Sequence, residues 1–216
     1  MTSIPPAPYF PAPWQLQGEG VIMVFRFPKS WVLEHAGLKE EEKRTFKGGL
    51  GYVMLVNYQQ SPVGPYKELL FIPGKFGPEG RQRITRIYVD SESSTQNGRF
   101  NWGIPKETVP IFWEKNGRTE EIGVGHPEDP VLFCKIKNGL FPLPVSTKIL
   151  PIHLKQEWEG KTFFTDPSGS GWGKIAKLES VSVNQTHFPD FSGFLPLLCV
   201  KVNPFRMHFP PSVPCT

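Results

Sequence analysis

The chain of 216 residues is 38% hydrophobic and 13% aromatic, with 17 Phe and 6 Trp, which excludes a disordered polypeptide and allows a substantial core. Its formal net charge of +4 comes from 24 basic and 20 acidic residues with no basic block interleaved with aromatics, so no nucleic acid partner is expected. The 24 prolines argue for short strands joined by turns, and with no apolar run of about 18 residues and no leader-like start, a soluble cytoplasmic protein with no membrane partner is expected.

In chain order, residues 1–14 are too rich in proline for helix and read as an extended arm pinned by Tyr9 and Trp14, with residues 15–216 as one domain. Val21 to Phe27 is an apolar, β-branched and aromatic run of strand length. SWVLEHAGLKEEEKRTF carries the one helical pattern, with Ser30 as cap, Trp31, Leu33, Ala36 and Leu38 apolar, and Gly37 as its break. GGLGYVMLVNYQQ and GPYKELLFIPGKF predict antiparallel neighbours joined by a turn at SPVGP. RQRITRIYVDSESS alternates charge with Ile84, Ile87 and Val89, as a half-exposed strand does, and GRFNWGIPKE follows it as a loop.

Hairpins are predicted at Asn116-Gly117 in VPIFWEKNGRTEEIGV and at Asn138-Gly139 in PVLFCKIKNGLFPLPV. The glycine-rich DPSGSGWGK reads as a loop before another strand, and LPLLCVKVNPFRMHF as the last strand. About ten strands and one short helix predict an all-β, single-domain antiparallel β-barrel or cone whose near-closure covers its edges and leaves an internal cavity for a small-molecule substrate.

The cavity is where chemistry is expected, because other signatures are missing. DPSGSGWGK lacks the order of a phosphate loop, His35, His126, His153, His187 and His208 form no HExxH, and no GxSxG occurs. Cys134, Cys199 and Cys215 form no CxxC and read as reduced thiols, so no metal site is expected. Arg206 and His208 alternate with Met207 and Phe209 and share one strand face, which is either a cavity wall or a solvent-facing edge.

Two separated segments remain, SPVGPYKELL and GRFNWGIPKE. Val63, Gly64, Pro65, Tyr66 and Glu68, followed by Gly98, Arg99, Trp102, Gly103, Pro105 and Lys106, resemble the acetoacetate decarboxylase-like superfamily in order and spacing, over residues 55–110. The resemblance implies a cone-like or lipocalin-like β-barrel, no cofactor, a possible homo-oligomer, and Lys106 as a Schiff-base lysine acting on a β-keto acid. Such a lysine must be neutral near pH 7, against an ordinary pKa of about 10.4, and burial with a second adjacent cation is what achieves this.

The chain departs from that pattern at three places. Lys106 is followed by Glu107 where the decarboxylating members have a second lysine; Gln60 stands closest to their glutamate, and Gly18 or Glu19 closest to their arginine. An adjacent carboxylate favours the ammonium, so Glu107 is expected to oppose the standard reaction. The kept residues also have a structural reading, in which Gly98, Gly103 and Pro105 shape a turn, Arg99 pairs with Glu68 and Trp102 fills the core.

Three functions follow as expectations. The first is a lyase on a keto-type substrate through a Lys106 imine. The second is a cyclase or isomerase of specialised metabolism that folds a polyketide-like substrate, with Lys106, Glu107 and Tyr66 as acid, base or donor. The third is a non-catalytic protein that binds an apolar ligand. Candidate binding residues are Gln60, Glu68, Arg99, Trp102, Arg206 and His208.

Overall fold

The structure is a computed structural model that describes residues 8–215; residues 1–7 of the expected arm lie outside the described residues. In chain order the elements are β1 (Trp14–Phe25), α1 (Lys29–His35), α2 (Glu40–Thr45), β2 (Phe46–Gly48), β3 (Gly51–Gln60), β4 (Tyr66–Ile72), β5 (Lys75–Phe76), β6 (Arg81–Gln82), β7 (Arg86–Val89) and α3 (Glu92–Trp102). They continue with β8 (Glu107–Thr108), β9 (Ile111–Asn116), β10 (Thr119–His126), β11 (Asp129–Ser146), β12 (Leu154–Trp158), β13 (Lys161–Thr165), β14 (Ser168–Val183), β15 (Leu198–Phe209) and β16 (Val213–Cys215).

A ten-stranded sheet runs β8-β7-β4-β3-β1-β15-β14-β11-β10-β9, and a six-stranded sheet β16-β13-β12-β6-β5-β2 lies beside it. Pairing is antiparallel except at β7 with β8 and β12 with β6. The large sheet curls into a half-barrel, because side chains from its two ends meet in one core: Leu69, Phe71 and Tyr88 share a cluster with Ile111, Ile122 and Leu132. Alternation along β3 sends Val53 and Leu55 into this core and Met54, Val56 and Tyr58 to the opposite face, where a second core forms with Trp14, Leu70, Ile87, Trp102 and Leu154. That second face is covered by α3 and the smaller sheet.

Charge closes the half-barrel at one end. Lys201 of β15 sits between two buried carboxylates, 3.0 Å from Glu19 of β1 and 2.6 Å from Glu120 of β10. Lys115 of β9 reaches across to Glu19 at 2.5 Å, and the Trp113 indole donates to Glu120 at 2.6 Å. Strands far apart in the sheet order are thereby tied together.

Several local expectations are corrected. β1 starts at Trp14, seven residues before the predicted run, because Trp14 and Leu16 alternate with the polar Gln15 and Gln17. The helical text is two helices broken at Gly37, which takes φ +64, and Pro28, not Ser30, holds the cap position. The charged strand text splits into β6 and β7, in different sheets. The Asn116-Gly117 hairpin forms as predicted, with Thr119 opposite Asn116. Asn138-Gly139 does not turn: β11 runs through it with a register shift, and Gly139 is where the Ile175 carbonyl of β14 presses against the strand. The glycine-rich stretch is also strand, with Gly169 and Gly171 allowing the backbone of β15 to approach β14.

Candidate functional site

GRFNWGIPKE is the second half of a helix and its exit, not a loop. Ser91 caps α3, its hydroxyl accepting from the Ser94 N–H at 3.2 Å. Gly103 ends it at φ +63, with its N–H donating to the Arg99 carbonyl at 2.9 Å and the Ile104 N–H donating to the Gly98 carbonyl at 3.3 Å, a left-handed stop that reverses the chain. Lys106 then runs back along the helix. Its aliphatic stem lies on Gly98, where an added Cβ would stand 2.7 Å from the lysine Cδ.

Lys106 is 4% exposed, and its amine donates to Glu68 Oε2 at 2.9 Å and to Ser94 Oγ at 3.0 Å, with the Tyr66 ring 5.0 Å away. Tyr58 donates its hydroxyl to the other Glu68 oxygen at 3.4 Å, and its ring lies 4.6 Å from that of Tyr66. Burial by itself would lower the lysine pKa, but the charge of Glu68, with hydrogen bonds to Glu68 and Tyr66, holds it above the ordinary value. Burial pushes the Tyr66 phenol up to about 12 and, with the Glu68 charge, Tyr58 well above its usual range, so both stay protonated donors.

Lys106 and Glu68 form one polar spot in the wall of a cavity of about 80 Å³. The rest is almost wholly apolar: Trp14, Met54, Leu70, Ile87, Trp102 and Phe209 are among its lining. It lies between the large sheet and its cover. The volume is several times the ~10–15 Å³ that one water needs and roughly half that of an engineered apolar cavity that takes benzene.

The other predicted residues divide. Tyr66, Glu68 and Trp102 line the cavity with Lys106, and Trp102 also fills the core, edge-on to Trp14 and donating to the Pro210 carbonyl at 2.7 Å. Glu107, the first residue of β8, is exposed; the carboxylate acting on Lys106 is Glu68. Arg99 does not pair with Glu68. Its guanidinium stacks over Trp158 at 5.0 Å in a separate open groove of about 650 Å³. Gln60 is exposed at the end of β3, Arg206 is exposed, and His208 bonds to Gln15 at 2.8 Å, while Met207 and Phe209 between them line the cavity.

Tyr58 and Ser94 were missed. Tyr58 could have been found, because it shares the strand parity of Met54 and Val56; Ser94 sits in a polar run, SESSTQN, that hides its burial. Among the described residues no group of three or more His, Cys, Asp or Glu is placed to hold a metal, and burial pushes the Cys134 and Cys199 thiols up to about 12. No described helix is long and apolar enough to cross a membrane.

The same architecture occurs in solved structures. Acetoacetate decarboxylase from Legionella pneumophila superposes with a TM-score of 0.69 at 13% identity, covering 100% of this chain and 93% of that one. An acetoacetate decarboxylase-like enzyme from Sphingomonas wittichii RW1 gives 0.67 at 14% identity, with coverage of 100% and 98%. The enduracididine biosynthesis enzyme MppR complexed with pyruvate gives 0.62 at 13%, with coverage of 95% and 91%. At such identities the likeness establishes the fold, a mostly-β half-barrel with a few short helices. No family model matches the chain, and no curated protein matches it.

Proposed function

We propose that the cavity around Lys106 is the active site of a small-molecule lyase acting on a keto-type substrate through a Lys106 imine. One observation carries this reading: a buried amine, paired with Glu68, in the wall of a cavity whose remaining lining is almost wholly apolar, on a fold shared with acetoacetate decarboxylase. The amine must be neutral to attack. Moving its proton to Glu68, 2.9 Å away, removes both charges from a medium that penalises each. The amine then adds to the carbonyl carbon, one of its protons passes to the new alkoxide, Glu68 returns its own proton to that hydroxyl, and the departing water leaves a protonated imine. That cation draws in the electrons of a bond one carbon away, which is what a lyase requires. Tyr58 and Tyr66 stay protonated and line the same cavity, which supports a role for them in donating to substrate oxygen.

Borohydride reduction during turnover tests the reading. An adduct on Lys106 found by peptide mass mapping, and absent in Lys106→Gln, is the expected result. Turnover with no trapped adduct would eliminate the imine. It would favour a second reading, acid–base isomerisation by a Lys106 that stays ammonium, which the raised proton affinity of Lys106 supports. The cavity volume argues against a long, folded polyketide as substrate.

A further inference from the structure

We propose that the substrate of this site is an uncharged β-hydroxy ketone and that its reaction is aldol-type cleavage rather than decarboxylation; this deepens, and rests on, the Lys106 reading above. The argument is an inventory of charge. Among the described residues lining the cavity, Lys106 and Glu68 are the only charged ones, and they already neutralise each other at 2.9 Å. A keto acid would bring a carboxylate into this neutral, buried pair and leave one negative charge without a partner, which is among the costliest arrangements a protein interior can hold.

Among the described residues no other cation lines this cavity. Arg99 is in the separate groove over Trp158, and Arg206 is exposed and borders a neighbouring pocket across Met54, Val56 and Met207, not the cavity that holds Lys106. Lys201 is held by Glu19 and Glu120 on the opposite face of the sheet, and the residue next to Lys106 is an outward-facing glutamate. What the cavity offers instead is apolar wall and the hydroxyls of Tyr58 and Tyr66, which suit the oxygens of a neutral carbonyl or alcohol.

The chemistry balances without a carboxylate. Once the imine has formed, Glu68 takes the proton of the β-hydroxyl, the carbon–carbon bond breaks, and its electron pair moves into the iminium to give an enamine while an aldehyde leaves. The enamine carbon takes that proton back, and the water released in imine formation is consumed in freeing the ketone and Lys106. The net reaction is one hydroxy ketone to one ketone and one aldehyde.

A matched pair of probes tests this: 4-hydroxypentan-2-one and acetoacetate, in which CH(OH)CH3 replaces the carboxylate on the same methyl-ketone frame. With the intact chain at pH 7.5 or so, the hydroxy ketone should give borohydride-trapped Lys106 about ten-fold faster or more than acetoacetate, and should release acetone with acetaldehyde. Equal or faster trapping by acetoacetate, with carbon dioxide released, overturns the neutral-substrate proposal and leaves the Lys106 reading standing. If neither probe is trapped, the imine reading fails and binding decides: a thermal shift with the hydroxy ketone but not acetoacetate upholds the neutral class, and any other pattern overturns it. Met207→Arg, at a half-buried lining position, supplies the missing cation and should reverse the preference; a folded variant with unchanged preference counts against the proposal.

Discussion

Glu68 decides what the Lys106 amine can do, because its charge and hydrogen bond outweigh the burial that would otherwise make the amine acidic. Glu68→Gln removes the charge and leaves the burial, so the lysine pKa should fall and the neutral amine appear at lower pH. The pH profile of imine trapping should therefore move to the acid side relative to that of the parent protein. A profile unmoved by Glu68→Gln would show that Glu68 does not set the charge state of Lys106. The same pair makes a stability prediction. Lys106→Met leaves Glu68 buried without its cation and should cost on the order of 3–5 kcal/mol in urea unfolding, whereas Lys106→Met with Glu68→Leu should recover most of that loss. Lys106 and Glu68 were legible in the sequence as part of a two-segment pattern. The direction of Glu107 was not, because chain adjacency says nothing of side-chain facing until the residue is known to start a strand.

Helix α3 is the element that builds the site, and its sequence conceals it. ESSTQNGRFNW buries Ser94, Thr95, Asn97 and Asn101 as well as Trp102, so there is no apolar stripe to read at helical spacing. Those polar groups have partners instead. Asn97 accepts from the Phe10 N–H at 2.7 Å and Asn101 donates to the Phe10 carbonyl at 2.9 Å, so the chain leading into β1 is tied to the helix. Its two glycines have different duties, which substitution should separate. Gly98→Ala improves helix propensity by up to about 1 kcal/mol, but its methyl would meet the Lys106 stem, so stability should change little while imine trapping slows. Gly103→Ala places a methyl at φ +63 against the Phe163 ring and should lower stability by about 2 kcal/mol or more. Equal effects of the two alanines on unfolding and trapping would refute this division of labour. The misread Asn138-Gly139 follows a related logic: glycine serves equally for a turn and for close backbone approach, and only the neighbouring strand distinguishes them.

Across the whole molecule, strand periodicity made the mostly-β sheet legible, but not the way its ends meet. The tie is the buried set of Glu19, Lys201 and Glu120 with Lys115, drawn from four strands whose sequence separations run up to 182 residues between Glu19 and Lys201. Each reads in the sequence as one polar residue in an alternating strand, indistinguishable from a solvent-facing one. Burial raises the Glu19 pKa, but hydrogen bonds to Lys115 and Lys201 and their charges outweigh it and hold the carboxyl below its ordinary value. A carboxyl depressed on folding contributes stability that is fully present above its unfolded pKa, near 4.5, and is lost as pH falls through the lower folded value. Acid should therefore loosen this closure below about pH 4.5. Lys201→Met withdraws the shared cation and leaves Glu120 buried without one, while Glu19 keeps Lys115. The variant should lose on the order of 3–5 kcal/mol at neutral pH, and part of that loss should return in mild acid as the stranded carboxylate takes up a proton. A variant as stable as the parent at pH 7, or one whose deficit grows in acid, would show that the half-barrel is held by its apolar core alone.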